Sequence, residues 1–228
     1  MVATLLVTVL AGMLFGLALA APPGPMNAII AEESVVRGWF AGFRAGLGAM
    51  SADLVFFALA LVGVVTVVER APTVRAVMVT IGGVLMCYFA LGAAQSIGGT
   101  LGAESASSSG RGFSKAFVLG LTNPYQILFW LTVGIGLITP GTLDVLAYLP
   151  ALGSQLGGLV VVQTGSVALL VGLFAGVLVW IVSFPATLVL AGRRVDALAP
   201  VVAAGSALVL AGFGVVFLWD GLTTLLIS

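Results

Sequence analysis

GLALAAPPGPMNAII, residues 16–30, decides how this chain is read. Pro22, Pro23 and Pro25 fall within four residues, with Gly24 between them, where an apolar helix would otherwise continue. Proline lacks the amide hydrogen, and its ring collides with the preceding turn. The stretch should unwind about one turn and restart a helix near Met26 and Asn27. Such a break makes sense only in a particular surrounding, and the rest of the sequence supplies it.

Of 228 residues, 61% are hydrophobic and 7% charged, against roughly a quarter charged in a soluble domain. The chain therefore reads as an all-α integral membrane protein. Lys+Arg and Asp+Glu are each 8 and histidine is absent, so no basic cluster points to nucleic acid. The single cysteine, Cys87, excludes an internal disulfide or a paired redox motif and reads as a small packed residue. The first twenty residues lack the basic start of a secretory signal and read as a retained membrane helix.

A spanning helix needs about 20 mostly apolar residues. Six segments qualify: about Ala3 through the prolines to Ala31, Trp39 to Val68, Ala76 to Gln95, Phe113 to Ile138, a helix within Leu159 to Ala191, and Pro200 to Leu218 or a little beyond. The fifth stretch is too long for one perpendicular span. Its opening GLVVVQTGS belongs either to the preceding loop or to a tilted helix end. The Gly/Ser-rich segment 96–112 reads as a flexible linker. It divides one membrane domain into two three-helix halves, 1–95 and 113–228. An odd number of spans per half inserts the halves with opposite orientation, as in secondary transporters built from inverted repeats.

Short-loop Lys and Arg residues favour the cytoplasmic side. Arg37, Arg44, Arg111, Lys115, Arg193 and Arg194 follow helices one, three and five, whereas Arg70 and Arg75 follow helix two. This asymmetry places the linker in the cytoplasm and both termini outside; a five-span topology would alter it. Small-residue pairs at four-residue spacing, Gly12 with Gly16, Gly42 with Gly46 and Gly172 with Gly176, predict close helix packing.

Three features are costly in lipid. The PPGP break frees backbone groups that must face protein or a wet cavity. The amides of the restarting helix carry partial positive charge and suit a carboxylate. Asn123-Pro124 breaks helix four, because the residue before proline is pushed away from helical angles. Asn123 either caps the freed backbone or turns its amide to a ligand. Asp53 lies deep in helix two, where an acid costs about 2.5–3.5 kcal/mol on insertion scales. It reads as a coupling-ion site, a substrate-amine contact, an ion-pair member or a hydrogen-bonded structural acid. Counted from Arg37, Arg44 and Lys115, the three features lie roughly 18, 14 and 12 Å deep at 1.5 Å per residue. A hydrocarbon core about 30 Å thick then places all three near its middle, as expected of a midplane binding site. Glu32, Glu33 and Arg37 read as a solvated helix end or as the lining of a cytoplasmic mouth. Asp220 with Trp219 reads as an interfacial pair, Pro185 as a weaker kink, and Trp130 and Trp180 as packing or lipid-facing residues.

APPGPMN, GLGAMSAD and FSKAFVLGLTNPYQILFW together resemble the LysE/RhtB family of small amino-acid exporters. The resemblance covers nearly the whole chain. It implies export of amino acids or similar small metabolites across the cytoplasmic membrane, driven by the proton gradient, with no enzymatic activity and no cofactor or metal. It carries substrate-binding roles to Pro23, Gly24, Pro25, Asn27, Asp53, Asn123 and Pro124, and proton coupling to Asp53. Met26 separates Pro25 from Asn27, where many members place Asn directly after the PGP. No acid follows Asn123-Pro124, which removes support for a dicationic substrate and favours a neutral amino acid. The expected partners are that small molecule and the lipid bilayer, with a homo-oligomer left open. Two alternatives of the same architecture are a divalent-cation exporter and a non-transporting membrane scaffold. The first would want histidine, cysteine or several carboxylates.

Overall fold

A computed structural model describes residues 2–63, 71–98, 111–144, 158, 161–192, 194 and 198–227. The linker 96–112 falls mostly outside the described residues, as do Arg70 and Arg193.

Helix α1 spans Val2–Ala20 and α2 spans Pro25–Arg37. Residues 21–24 between them are not helical, as Pro22 and Pro23, with Pro25 directly after the stretch, require. Helix α3, Trp39–Leu61, follows α2 after one residue, Gly38. Gly38 has φ 89°, in the region that side chains avoid and glycine enters without penalty. Helix α4 covers Pro72–Gly98 and α5 Arg111–Thr122. Asn123 then leaves the helical region (ψ 112°), and α6 resumes over Pro124–Phe129. A π-helical turn, Trp130–Gly134, leads into the short α7, Ile135–Ile138. Helix α8 is Val167–Gly192, with Pro185 inside it, and α9 is Leu198–Ile227.

One departure from an all-α chain lies between α7 and α8. Gly141–Asp144 (β1) pairs antiparallel with Val161–Thr164 (β2), Gly141 opposite Thr164. Val161–Thr164, within GLVVVQTGS, is therefore no part of the fifth helix, which starts at Val167. Its β-branched run suits a strand, and Gly165, at φ 70°, turns the chain while its amide donates to the Leu137 carbonyl at 2.8 Å. The Gly158 amide caps the β1 end on Asp144 Oδ2 at 2.6 Å.

Among the described residues, Trp39–Leu61, Thr73–Gln95, Val167–Gly192 and Leu198–Leu226 are long and apolar enough to cross a membrane. The number reaches six if α1 with α2, and α5 with the helical segment ending at Ile138, each count as one span. Ile81, Val84, Tyr88 and Leu91 form an exposed apolar face on α4, as do Leu10 and Leu14 on α1. A lipid surround removes the cost of such faces.

The chain forms two compact units. The first comprises Met1–Ala21 and Thr132–Trp180. In it α1 packs on the first half of α8 through glycine. A Cβ at Gly12 or Gly16 would strike the Leu169 or Leu173 carbonyl, and one at Gly172 or Gly176 the Val9 or Met13 carbonyl. The sequence spacing predicts this close approach. The second unit comprises Pro22–Leu131 and Ile181–Ser228. Ile29 and Ile30 of α2, Ala45 and Ala49 of α3, Met86 of α4, Leu119 of α5, and Leu210 and Phe217 of α9 share its core. Gly83 and Gly214 bring α4 and α9 together beside Cys87, whose Sγ packs near Gly214. Gly42 admits Ser34 and Pro185, and Gly46 admits Ile181. Trp39 Nε1 donates to the Val182 carbonyl at 3.0 Å, in the turn before Pro185.

Candidate functional site

Asp53 sits on the buried side of α3, 6% exposed, with Ala49, Ala52 and Phe56 also buried. The small residues of α3 let α5 approach closely. A Cβ at Gly48 would strike the Phe113 carbonyl, and one at Gly120 would lie 2.5 Å from Ala52 Cβ and 3.4 Å from Gln126 Oε1. This close packing brings the segment after Asn123 to the acid. Gln126 Nε2 donates to Asp53 Oδ1 at 2.6 Å, and Trp130 Nε1 donates to the same oxygen at 3.0 Å. Gln126 and Trp130 are four residues apart and so share one helical face. The Trp130 indole is fully buried and packs on Phe57 and Phe129, with ring centroids 5.7 and 5.6 Å away.

The reading of Trp130 as a packing or lipid-facing residue is thus incomplete: it is buried, and it also hydrogen-bonds the intramembrane acid. Asp53 is thus a buried acid that accepts two hydrogen bonds. Both donors are neutral groups.

Asn123 is buried and caps α6, its Oδ1 accepting from the Tyr125 amide at 3.0 Å. Pro124 opens that helix at the first position, where its missing amide hydrogen is not needed. Asn123 and Pro124 therefore set the start of the segment that carries Gln126 and Trp130. Pro25 likewise opens α2, and Gly24, with an extended backbone, offers no side chain to cap it. Asn27 Nδ2 donates to the Pro22 carbonyl at 2.8 Å, bridging the proline stretch from Pro22, past Pro23, to the first turn of α2. Ser206 Oγ on α9 donates to the Ala28 carbonyl at 2.9 Å and ties α9 to α2.

Glu33 is a second correction. It is 4% exposed, not solvated. Arg37 Nη1 donates to both of its carboxylate oxygens, at 2.7 and 2.8 Å, and Lys115 Nζ on α5 lies 4.0 Å from Oε1. Arg37 and Lys115, which the charge asymmetry assigns to one side of the membrane, meet on this one acid. Asp220 lies 3.8 Å from Arg75, both half-exposed.

The family model for LysE type translocators matches residues 17–161. The chain is 29% identical over 121 residues to a Bacillus subtilis (strain 168) protein named "Putative amino acid efflux protein YcgF", covering 52% of this chain and 57% of that one. It is 30% identical over 113 residues to the leucine efflux protein of Salmonella typhimurium (strain LT2), covering 48% and 53%. It is 27% identical over 126 residues to the uncharacterized membrane protein PA4757 of Pseudomonas aeruginosa, covering 52% and 58%. The chain thus spans about half the length of the curated relatives it matches. No solved structure matches. The family match takes in the proline break, Asp53, Asn123, Gln126 and Trp130 and extends over more than half of the sequence, and on it the chain belongs to the LysE type translocator family.

Proposed function

We propose that this protein is a secondary transporter that exports amino acids or similar small metabolites across the cytoplasmic membrane. The observation that carries the reading is Asp53, an acid inside an apolar helix, held by neutral donors from the segment that Asn123-Pro124 opens. A protein that only scaffolds has no use for an acid kept at this cost in lipid. Family membership and efflux-named relatives support the same reading.

In this proposal α1 with α2, and α5 with the helical segment to Ile138, each form one broken span. Six spans then make two inverted halves, with residues 96–112 as the cytoplasmic linker. Pro23, Gly24, Pro25 and Asn27 at the start of α2 face the substrate carboxylate, since helix N-termini favour anions. Asp53 meets the ammonium group or carries the coupling proton, and Asn123 with Pro124 shapes the opposite wall. A relative named for leucine efflux and the neutral partners of Asp53 favour a neutral amino acid.

The test compares the medium of cells expressing the chain with that of cells lacking it, quantifying the protein amino acids by mass spectrometry. A rise in one or a few neutral amino acids is expected. The Asp53→Asn variant, which keeps the shape but cannot ionise, should lower that export to background at normal expression. An amino-acid profile identical with and without the chain would defeat the proposal, and full export by Asp53→Asn would reduce Asp53 to a structural residue.

A further inference from the structure

Both hydrogen bonds of Asp53 end on the same atom. Oδ1 accepts from Gln126 Nε2 and from Trp130 Nε1. Oδ2 accepts none among the described residues. The end torsion of a free aspartate is broad and roughly two-fold, so its oxygens interchange readily. Two donors on one oxygen remove that freedom. The donors are themselves held in place. Trp130 is wedged between Phe57 and Phe129, and Gln126 lies against Gly120, where a Cβ would come within 3.4 Å of its Oε1.

We propose that Asp53 divides its two oxygens: Gln126 and Trp130 hold Oδ1 as a fixed anchor, and Oδ2 is the working oxygen that accepts a hydrogen bond from the substrate's ammonium group. Gln126 and Trp130 are then positioning residues of the transport site. The inference rests on the export reading above. An ammonium donor suits Oδ2 because hydrogen bonds between ionised partners are short and about twice as strong as neutral ones. A carboxylate that arrives already oriented loses less freedom when the substrate binds.

Two substitutions remove one donor each. Trp130→Phe keeps a buried ring and loses Nε1–H, and Gln126→Leu keeps most of the volume and loses the amide. Each protein is reconstituted in proteoliposomes loaded with a mixture of the protein amino acids. For whichever amino acid the parent exports, the half-saturating concentration should rise about tenfold in each variant, the worth of one hydrogen bond to a charged group. The maximal rate should change little. Damage to packing alone would instead lower the maximal rate and the yield of folded protein, leaving half-saturation where it was. If Trp130→Phe fails to elute as a folded protein, Gln126→Leu and Gln126→Met carry the same test.

A second arm needs no transport. Dicyclohexylcarbodiimide, an apolar reagent, takes up a carboxyl group by addition: the oxygen bonds to its central carbon, the proton moves to its nitrogen, and nothing leaves. Peptide mass spectrometry should find Asp53 labelled in the parent through Oδ2. Labelling should be faster in both variants, where Oδ1 keeps only one of its two donors and the carboxyl group turns more freely. If the parent exports no amino acid, the export reading fails and this arm still decides the division of oxygens. An unlabelled Asp53 in the parent, or variants that keep the parental half-saturation and labelling rate, would overturn the inference.

Discussion

Glu33 Oε1 on α2 stands 4.0 Å from Lys115 Nζ on α5, and its carboxylate is only 5% exposed. The same carboxylate takes two bonds from Arg37 one turn along α2. The helix that follows the first proline break is thereby tied to the helix that precedes the second. Gly112 is part of the arrangement, since a Cβ there would lie 2.9 Å from the Glu33 carboxyl carbon.

Removing that acid should cost more than removing either base. Breaking a buried pair costs about 3–5 kcal/mol, and partly exposed partners recover some of it from water, so Glu33→Ala should lose about 1–3 kcal/mol. Lys115→Met, at the limit of ion-pair distance, should lose about 0–1 kcal/mol. Thermal unfolding in detergent checks the order; a Lys115 variant less stable than the Glu33 variant would contradict it.

Gly16 should be sensitive to alanine and Gly24 tolerant of it. A Cβ at Gly16 runs into the Leu173 carbonyl and the Val177 amide, whereas one at Gly24 meets nothing within 4 Å. Overpacking typically costs about 1–3 kcal/mol. Gly16→Ala should therefore reduce the folded fraction seen by fluorescence-detected size exclusion. Gly24→Ala should leave it near the parental level, because Gly24 has an extended backbone that alanine adopts freely.

Asn123 separates capping from ligand contact. Its Oδ1 receives the Tyr125 amide, so Asn123→Ala should cost about 1 kcal/mol, and Asn123→Asp or Asn123→Ser should restore that stability. Export recovering together with stability assigns Asn123 to the cap. Stability without export in Asn123→Ser assigns its amide nitrogen to the substrate.

The linker offers a test of orientation. With Cys87 replaced by alanine, a cysteine introduced by Ser108→Cys should react with impermeant maleimide only in inside-out vesicles. Reaction in intact cells would place residues 96–112 outside and reverse the assignment of Arg37, Arg44, Arg111 and Lys115.

The costly features were legible because proline and a lone acid conflict with an apolar helix wherever they stand. Asp53, Asn123-Pro124 and the PPGP stretch announce themselves by local chemistry. Their partners do not. Trp130 in an apolar run has the same sequence signature whether its indole N–H meets lipid headgroups, a carbonyl or an acid, and only the approach of α3 to the α5–α6 segment selects among these. A signal was present in YQILFW: Gln126 is a polar residue in an apolar turn, four residues before the indole. Glu33 was misread for a related reason. Acids near a helix end are ordinarily solvated, and its burial comes from α5 and Gly112, which lie far along the chain. The hairpin of Gly141–Asp144 with Val161–Thr164 was hidden by brevity, as four-residue strands show little periodicity.

Gly38 has a mechanical consequence. It is the whole connection between α2 and α3, so the two helices share a pivot at Arg37 and Trp39 with no slack to absorb movement. Helix α2 is 13 residues long, a lever of about 20 Å at 1.5 Å per residue, and a tilt of about ten degrees about Gly38 would carry Pro25 sideways by about 3 Å. That is roughly the width of a water molecule, obtained at the proline end while the Arg37 end stays nearly still. Because α3 carries Asp53, any tilt too large for this one-residue pivot must drag the acid's own helix with it, coupling the two helices by leverage.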